Sequence, residues 1–136
     1  DVLQVLSRPT EAEARFKKAI TIKPDFTDAF INLGSTLKGL DRLDEAAISF
    51  RQAILLKPNS IVAYNKLGST LEQLKRLNEA EISFRQAIKI KPDDTVANAG
   101  LGLLLGKLGQ HKKGLQHLRI GCGSIVFDTK NGLSIE

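Results

Sequence analysis

The side chains with the most reactive chemistry in this 136-residue sequence are His111, His117 and Cys122, which together could ligate a metal ion or pair a thiolate with an imidazole. Their spacing fits neither use. A structural zinc site takes four ligands at characteristic intervals, and these three residues reproduce no zinc pattern. A nucleophilic cysteine needs a base that activates its thiolate, yet Cys122 stands in a Gly-Cys-Gly stretch with no evident partner. The bland reading, two polar surface histidines and a semi-buried thiol, is favoured. Gly100-Leu-Gly102-Leu-Leu-Leu-Gly106-Lys107 invites comparison with a phosphate-binding loop, but that loop requires Ser or Thr after the lysine, and Leu108 is there instead. The acidic pairs Asp44-Glu45 and Glu79 with Glu81 recur where helices start, so capping and the helix dipole explain them better than acid–base catalysis. No catalytic residue, cofactor or metal site is expected.

The elements around these residues must therefore carry the function. With 42% hydrophobic and 26% charged residues the chain has the balance of a folded domain. No apolar run approaches the ~20 residues of a membrane span, and the start lacks the basic-then-apolar order of a signal peptide. The single cysteine rules out an internal disulfide, so a reducing cytoplasm is the expected setting. The absence of methionine, position 1 included, suggests a piece of a longer protein. Net charge is +5, but basic and acidic residues alternate except around Lys107, Lys112, Lys113 and Arg119. With one tyrosine and no tryptophan there are few stacking platforms, which argues against nucleic acid.

The dominant signal is an internal repeat. Residues 27–60 and 61–94 align without a gap and share 20 of 34 positions. The register extends backwards to Ala12, Phe16, Ala19 and Pro24, and forwards to Leu101, Gly102 and Leu105. It divides the chain into a partial unit (1–26), two full units (27–60 and 61–94), a degenerate unit (95–128) and a tail (124–136). In each full unit Phe30, Leu33, Leu37 and Leu40, or their equivalents, recur at three- and four-residue spacing and line one face of a first helix. A second helix, with Ala46, Phe50, Ala53 and Ile54 on its buried face, is expected to start at an N-cap on Thr10, Asp44 or Asn78, Thr10 pairing with Glu13 in a capping box. Lys-Pro then ends the unit, and Asp25, Asn59 or Asp93 is expected to cap the next helix.

These columns, Phe30/Tyr64, Leu33-Gly34/Leu67-Gly68, Ala46/Ala80, Phe50/Phe84, Ala53/Ala87 and Pro58/Pro92, resemble the tetratricopeptide repeat. The resemblance covers residues 1 to about 120 and implies an all-α, right-handed solenoid of antiparallel helix pairs. In the last unit Asn98 replaces the aromatic, Gly114 and Gly121 replace the alanines, Leu118 replaces Phe and Val126 replaces Pro. Interior glycine costs about 1 kcal/mol against alanine, which makes an irregular final helix the expectation. In the tail, Ser124–Asp128 and Leu133–Glu136 flank Asn131-Gly132, the pair favoured in a type I′ turn, and a short β-hairpin is expected.

A solenoid of this kind implies a concave groove lined by the first helix of each unit and suited to an extended or helical peptide. With Phe30, Leu33, Gly34 and Leu37 committed to packing, Asp28, Ile31, Asn32, Ser35 and Lys38 are left for the groove. Their equivalents are Val62, Asn65, Lys66, Ser69 and Glu72, then Val96, Ala99, Gly100 and Leu103, with Lys107 one residue past the Glu72 column completing the last set. Asn32 and Asn65 can bond a peptide backbone, and Lys38, Lys66 and Lys107 can hold a carboxylate. Two ligand preferences known in the family do not carry over. Ile31, Ser35, Lys66 and Gly100 do not reproduce the set that grips chaperone C-termini, and Lys66 and Gly100 interrupt the asparagine column that Asn32 begins. The expected function is a non-catalytic module binding a protein or peptide segment. The alternative is the recruitment arm of a larger enzyme, since EAEARFKKAITIKPD is similar to bacterial arrays that precede enzymatic domains. Self-association is a further expectation, through Val2, Leu3 and Leu6 of the partial unit or through the hairpin edge.

Overall fold

The structure, a computed structural model, describes the backbone of residues 2–122, 125–128 and 132–135 and the side-chain surroundings of residues 8–120. The period-34 pattern becomes seven helices: α1 (Val2–Ile22), α2 (Thr27–Gly39), α3 (Leu43–Leu56), α4 (Ile61–Gln73), α5 (Leu77–Ile90), α6 (Thr95–Lys107) and α7 (His111–Cys122). Each packs on its sequence neighbours, while α2 also meets α4 and α4 meets α6. The first helices of successive units therefore stand side by side.

One contact recurs and explains the Leu-Gly motif. The Phe50 ring of α3 lies where a Cβ on Gly34 would come within 2.6 Å of it, and Phe84 of α5 stands likewise against Gly68 at 2.9 Å. Alanines at 46, 53, 80 and 87, all fully buried, bring the paired helices close enough for that fit. Burying such a ring stabilises by roughly 1.5–3 kcal/mol. Phe84 is also met from the next unit by Gly100, whose Cβ would come within 2.6 Å of the ring. Gly100 stands in the column that holds Lys66 in the preceding unit.

The helix boundaries differ from expectation in four places. First, α1 runs unbroken through Pro9 and Thr10, because proline removes one ladder hydrogen bond without ending this helix; Thr10 is not an N-cap and the capping box with Glu13 does not form. Second, Asp44 and Asn78 are the second residues of α3 and α5, whose cap positions are Arg42 and Arg76. The preceding turn is tighter than the spacing suggested: Asp41 (φ 61°), Lys75 (φ 62°) and Gly109 (φ 79°) take the left-handed conformation. The next amide then reaches back to the helix, Arg42 N to Leu37 O and Arg76 N to Leu71 O, each at 2.9 Å. Third, the first helices are capped one residue later than Asn59 and Asp93, by Ser60 on Ala63 N (3.3 Å) and Asp94 on Ala97 N (2.9 Å). The Lys-Pro segment closes a four-residue turn before the helix begins, with Ser60 N bonded to Lys57 O and Asp94 N to Lys91 O. At α2 that position is Phe26, Asp25 falls short, and no side chain caps the helix.

Fourth, α7 is a regular helix despite its glycines. Gly114 sits where α6 and α7 pack tightly, and a Cβ there would be 2.7 Å from Gly102 O. The glycine thus trades helix propensity for contact. Beyond α7, β1 (Ile125–Asp128) and β2 (Gly132–Ile135) pair antiparallel with Ile125 opposite Ile135. Asn131, the first half of the expected turn, and the side chains of Val2, Leu3, Leu6 and Cys122 lie outside the described residues. No described helix is long and apolar enough to cross a membrane.

Candidate functional site

The face built from α2, α4 and α6 gathers the residues expected in the groove, and the structure distributes them unevenly. Asp28, Asn32, Val62, Leu103 and Lys107 are exposed; Ile31, Ser35, Lys38, Asn65, Lys66, Ser69 and Glu72 are half-buried. Ile31 packs against the core and has little left to offer a ligand.

Hydrogen bonds tie the three helices together at this face. The Lys38 ammonium of α2 donates to the Ser69 hydroxyl of α4 at 2.6 Å. Lys107 of α6 donates to the Glu72 carboxylate of α4 in a close ion pair. Asn65 of α4 donates through Nδ2 to Asp94 Oδ2 at 2.9 Å, the same oxygen that caps α6. Asn65 is thereby a structural strut, and its Oδ1 is buried without a hydrogen-bond partner. Asp94 went unnoticed in the sequence because its counterpart in the preceding unit is Ser60, and the Asn65 column holds Ile31 there. Only the last step of the array has both members of the pair.

Burial, joined by repulsion from Lys66, lowers the proton affinity of Lys38, against the attraction of Glu72. Apolar surface accompanies these charges: Val62, Val96 and Leu103 are 53%, 60% and 59% exposed.

Two features elsewhere are structural. Glu13 accepts from Lys17 (2.6 Å) and Arg42 (2.7 Å), and those hydrogen bonds, Lys17 first, hold its carboxyl below the usual range against the cost of desolvation. His117 corrects the expectation of a surface histidine. Its Nδ1 lies 2.9 Å from Oδ1 of the fully buried Asn98, which also donates to Pro92 O and Asp94 O. His111 is exposed. Among the described residues no three His, Cys, Asp or Glu side chains converge as metal ligands.

The sequence matches the tetratricopeptide repeat family model over residues 27–60 and 61–94, half of the chain. No curated protein matches it significantly. Among solved structures, a crystal structure titled MamA superposes with a TM-score of 0.79 at 23% identity, covering 87% of this chain and 69% of that one. MamA residues 41 to the end from Desulfovibrio magneticus RS-1 gives a TM-score of 0.74 at 20% identity, covering 85% and 65%. At such identities the likeness is one of fold, and the chain spans about two thirds of the length of those proteins.

Proposed function

Because the chain belongs to the tetratricopeptide repeat family, we propose that it is a non-catalytic interaction module that binds a protein or peptide segment on the face formed by α2, α4 and α6. One observation carries this reading. The first helices are bonded to each other side by side through Lys38–Ser69 and Glu72–Lys107, which joins three separate helices, and Val62, Val96 and Leu103 of the same helices are left exposed. A surface of mixed polar anchors and isolated apolar side chains suits a segment laid across the helices, with backbone and side chains both engaged. The units 27–60, 61–94 and 95–128 are the repeats of this proposal. We read β1 and β2 of the tail as a short hairpin beside the last helix, the contact between β1 and α7 being what supports it.

The test compares faces. Peptides are selected from a displayed random library on the wild-type chain and then measured against Val62→Asp with Leu103→Asp, and against Ile48→Asp with Ile82→Asp. The second pair alters equally exposed residues of α3 and α5. Selected peptides are expected to lose binding to the first variant and keep it with the second; the opposite pattern would place the interaction on the other face and reject this reading.

A further inference from the structure

Charge is shared unevenly along the array. The two full repeats mix acidic and basic residues, whereas residues 95–122 contain no Asp or Glu and carry Lys107, Lys112, Lys113 and Arg119. Lys107 is neutralised from the preceding unit by Glu72. Lys112 and Lys113, in the first turn of α7, are exposed and form no ion pair among the described residues. With Gly109, Gln110 and His111 they line a shallow depression at the turn between α6 and α7.

That depression adjoins an apolar cleft. In the preceding unit the Phe84 ring is held between Gly68 and Gly100. In the last unit Leu118 stands in the Phe84 column, and Gly106 and Gly114 stand in the columns of Glu72 and Ala80. These shorter residues, with Leu103, Leu115 and His111, line a cleft of about 340 Å³ between α6 and α7, the size of a small-molecule site. A Cβ on Gly106 would meet nothing within 4 Å, so the space beside it is open. The walls are leucine and glycine with no aromatic ring, which suits a flexible alkyl chain and offers a planar ligand nothing to stack on. His111 borders both spaces, so the apolar cleft and the basic depression meet at one side chain. We propose that the α6–α7 unit is a binding site for a single-chain amphiphilic anion, an alkyl carboxylate. The chain lies in the cleft, where burial of its methylenes supplies most of the affinity. The carboxylate sits over the depression, where the exposed Lys112 and Lys113 select the sign of the head group. This site stands apart from the groove, with which it shares Leu103.

The experiment titrates the full chain with decanoate and with decyltrimethylammonium, the same chain under the opposite charge, by calorimetry at low ionic strength. Decanoate is expected to bind about tenfold tighter. Gly106→Leu fills the cleft and should abolish binding while melting no lower than the wild type, whereas Gly106→Ala leaves most of the space and should bind. Lys112→Ser with Lys113→Ser should weaken decanoate about fivefold, the scale of an exposed charge contact. Lys18→Ser with Lys57→Ser, an equal loss of charge elsewhere, should change nothing, and Val62→Asp on the groove face should leave decanoate binding intact. Binding that survives Gly106→Leu, or equal affinity for the two amphiphiles, overturns the assigned site. Loss of decanoate in Val62→Asp moves the ligand to the groove and overturns it too. No binding in the millimolar range rejects the proposal, and a Gly106→Leu variant that then melts below the wild type assigns the cleft to the chain's own tail beyond α7. Binding to phosphatidylglycerol vesicles that persists in Gly106→Leu and is lost in the Lys112/Lys113 variant places a bilayer surface on the lysines and overturns the cleft.

Discussion

His117 Nδ1 and Asn98 Oδ1 face each other at 2.9 Å across the α6–α7 interface, and both side chains depart from the residues of the preceding unit, Ser83 and Tyr64. The aromatic ring has moved from the first helix to the second. Because Asn98 spends its amide protons on Pro92 O and Asp94 O, its carbonyl oxygen accepts, and His117 must carry its proton on Nδ1.

Protonating the second ring nitrogen costs burial first and repulsion from Arg85 second, so the His117 pKa is lowered from its ordinary value of 6.5. The unfolded chain then binds the proton more readily than the folded one. Stability from this contact is complete above the unfolded pKa and is lost as pH falls below it. Thermal unfolding between pH 7.5 and 5 should show the wild type losing stability through the mildly acidic range, and His117→Gln should flatten that part of the profile. Parallel profiles would show that His117 does not titrate with folding.

The glycines of α6 and α7 give opposite expectations. Gly114→Ala gains helix propensity, yet its Cβ would stand 2.7 Å from the backbone oxygen of Gly102, which cannot yield like a side-chain tip. Overpacking of that kind costs ~1–3 kcal/mol against a propensity gain of ~1, so a net loss is expected. Gly106→Ala meets nothing within 4 Å and should stabilise by ~0.5–1 kcal/mol. Chemical denaturation of the two variants checks both signs. A stabilised Gly114→Ala would mean that the helices separate at little cost.

Much of this architecture could be read before any coordinates, because the repeat supplies each column twice. Ala46 with Ala80 and Phe50 with Phe84 announce a buried second-helix face through agreement between units, and those residues are in the core. What one column cannot show is a contact whose two members vary together. Asn98 looks like decay of an aromatic site until His117 is seen beside it, and Gly114 looks like a weak helix until Gly102 is seen beneath it. The cap positions slipped for another reason: Asp44, Asn78, Asn59 and Asp93 have capping side chains, but left-handed and Lys-Pro turns fix where each helix starts. The charges of the candidate site were legible as residue types, whereas their pairing was not. Nothing in the spacing distinguishes Lys107, which meets Glu72, from Lys66, which meets no carboxylate among the described residues.

The left-handed turn makes a separate prediction. Gly109 occupies it without strain, while Lys75 holds φ 62° with a Cβ that crowds the following carbonyl. Lys75→Gly should relieve about 1 kcal/mol, less the greater entropy that glycine brings to the unfolded chain. Lys75→Val should be the more damaging change, because a branched side chain fits that conformation worst. Melting temperatures in the order Gly, Lys, Val support the turn geometry; a glycine variant that melts lowest contradicts it.

Asn65 belongs to the groove by position and to the α4–α6 interface by its hydrogen bond, and the two roles can be separated. Its Nδ2 reaches Asp94 Oδ2, which already accepts from Ala97 N, so one carboxylate oxygen caps α6 and holds that helix against α4. Asn65→Ala should therefore lower stability by ~1 kcal/mol in the absence of any ligand. Asp94→Ala should cost ~1 kcal/mol for the lost cap, together with the loss of the Asn65 bond. Because both variants break the same contact, the double variant should be less damaging than the sum, with a coupling of at least ~0.5 kcal/mol. Ser60→Ala supplies the reference, since it removes a cap whose unit has Ile31 in place of the donor. Additive losses at 65 and 94 would mean that the strut contributes nothing and that Asn65 is free to serve a ligand. A clear coupling would make any affinity change in Asn65→Ala partly an effect of a displaced α6, which is why the exposed Val62 and Leu103, and not this asparagine, are the sharper probes of the groove.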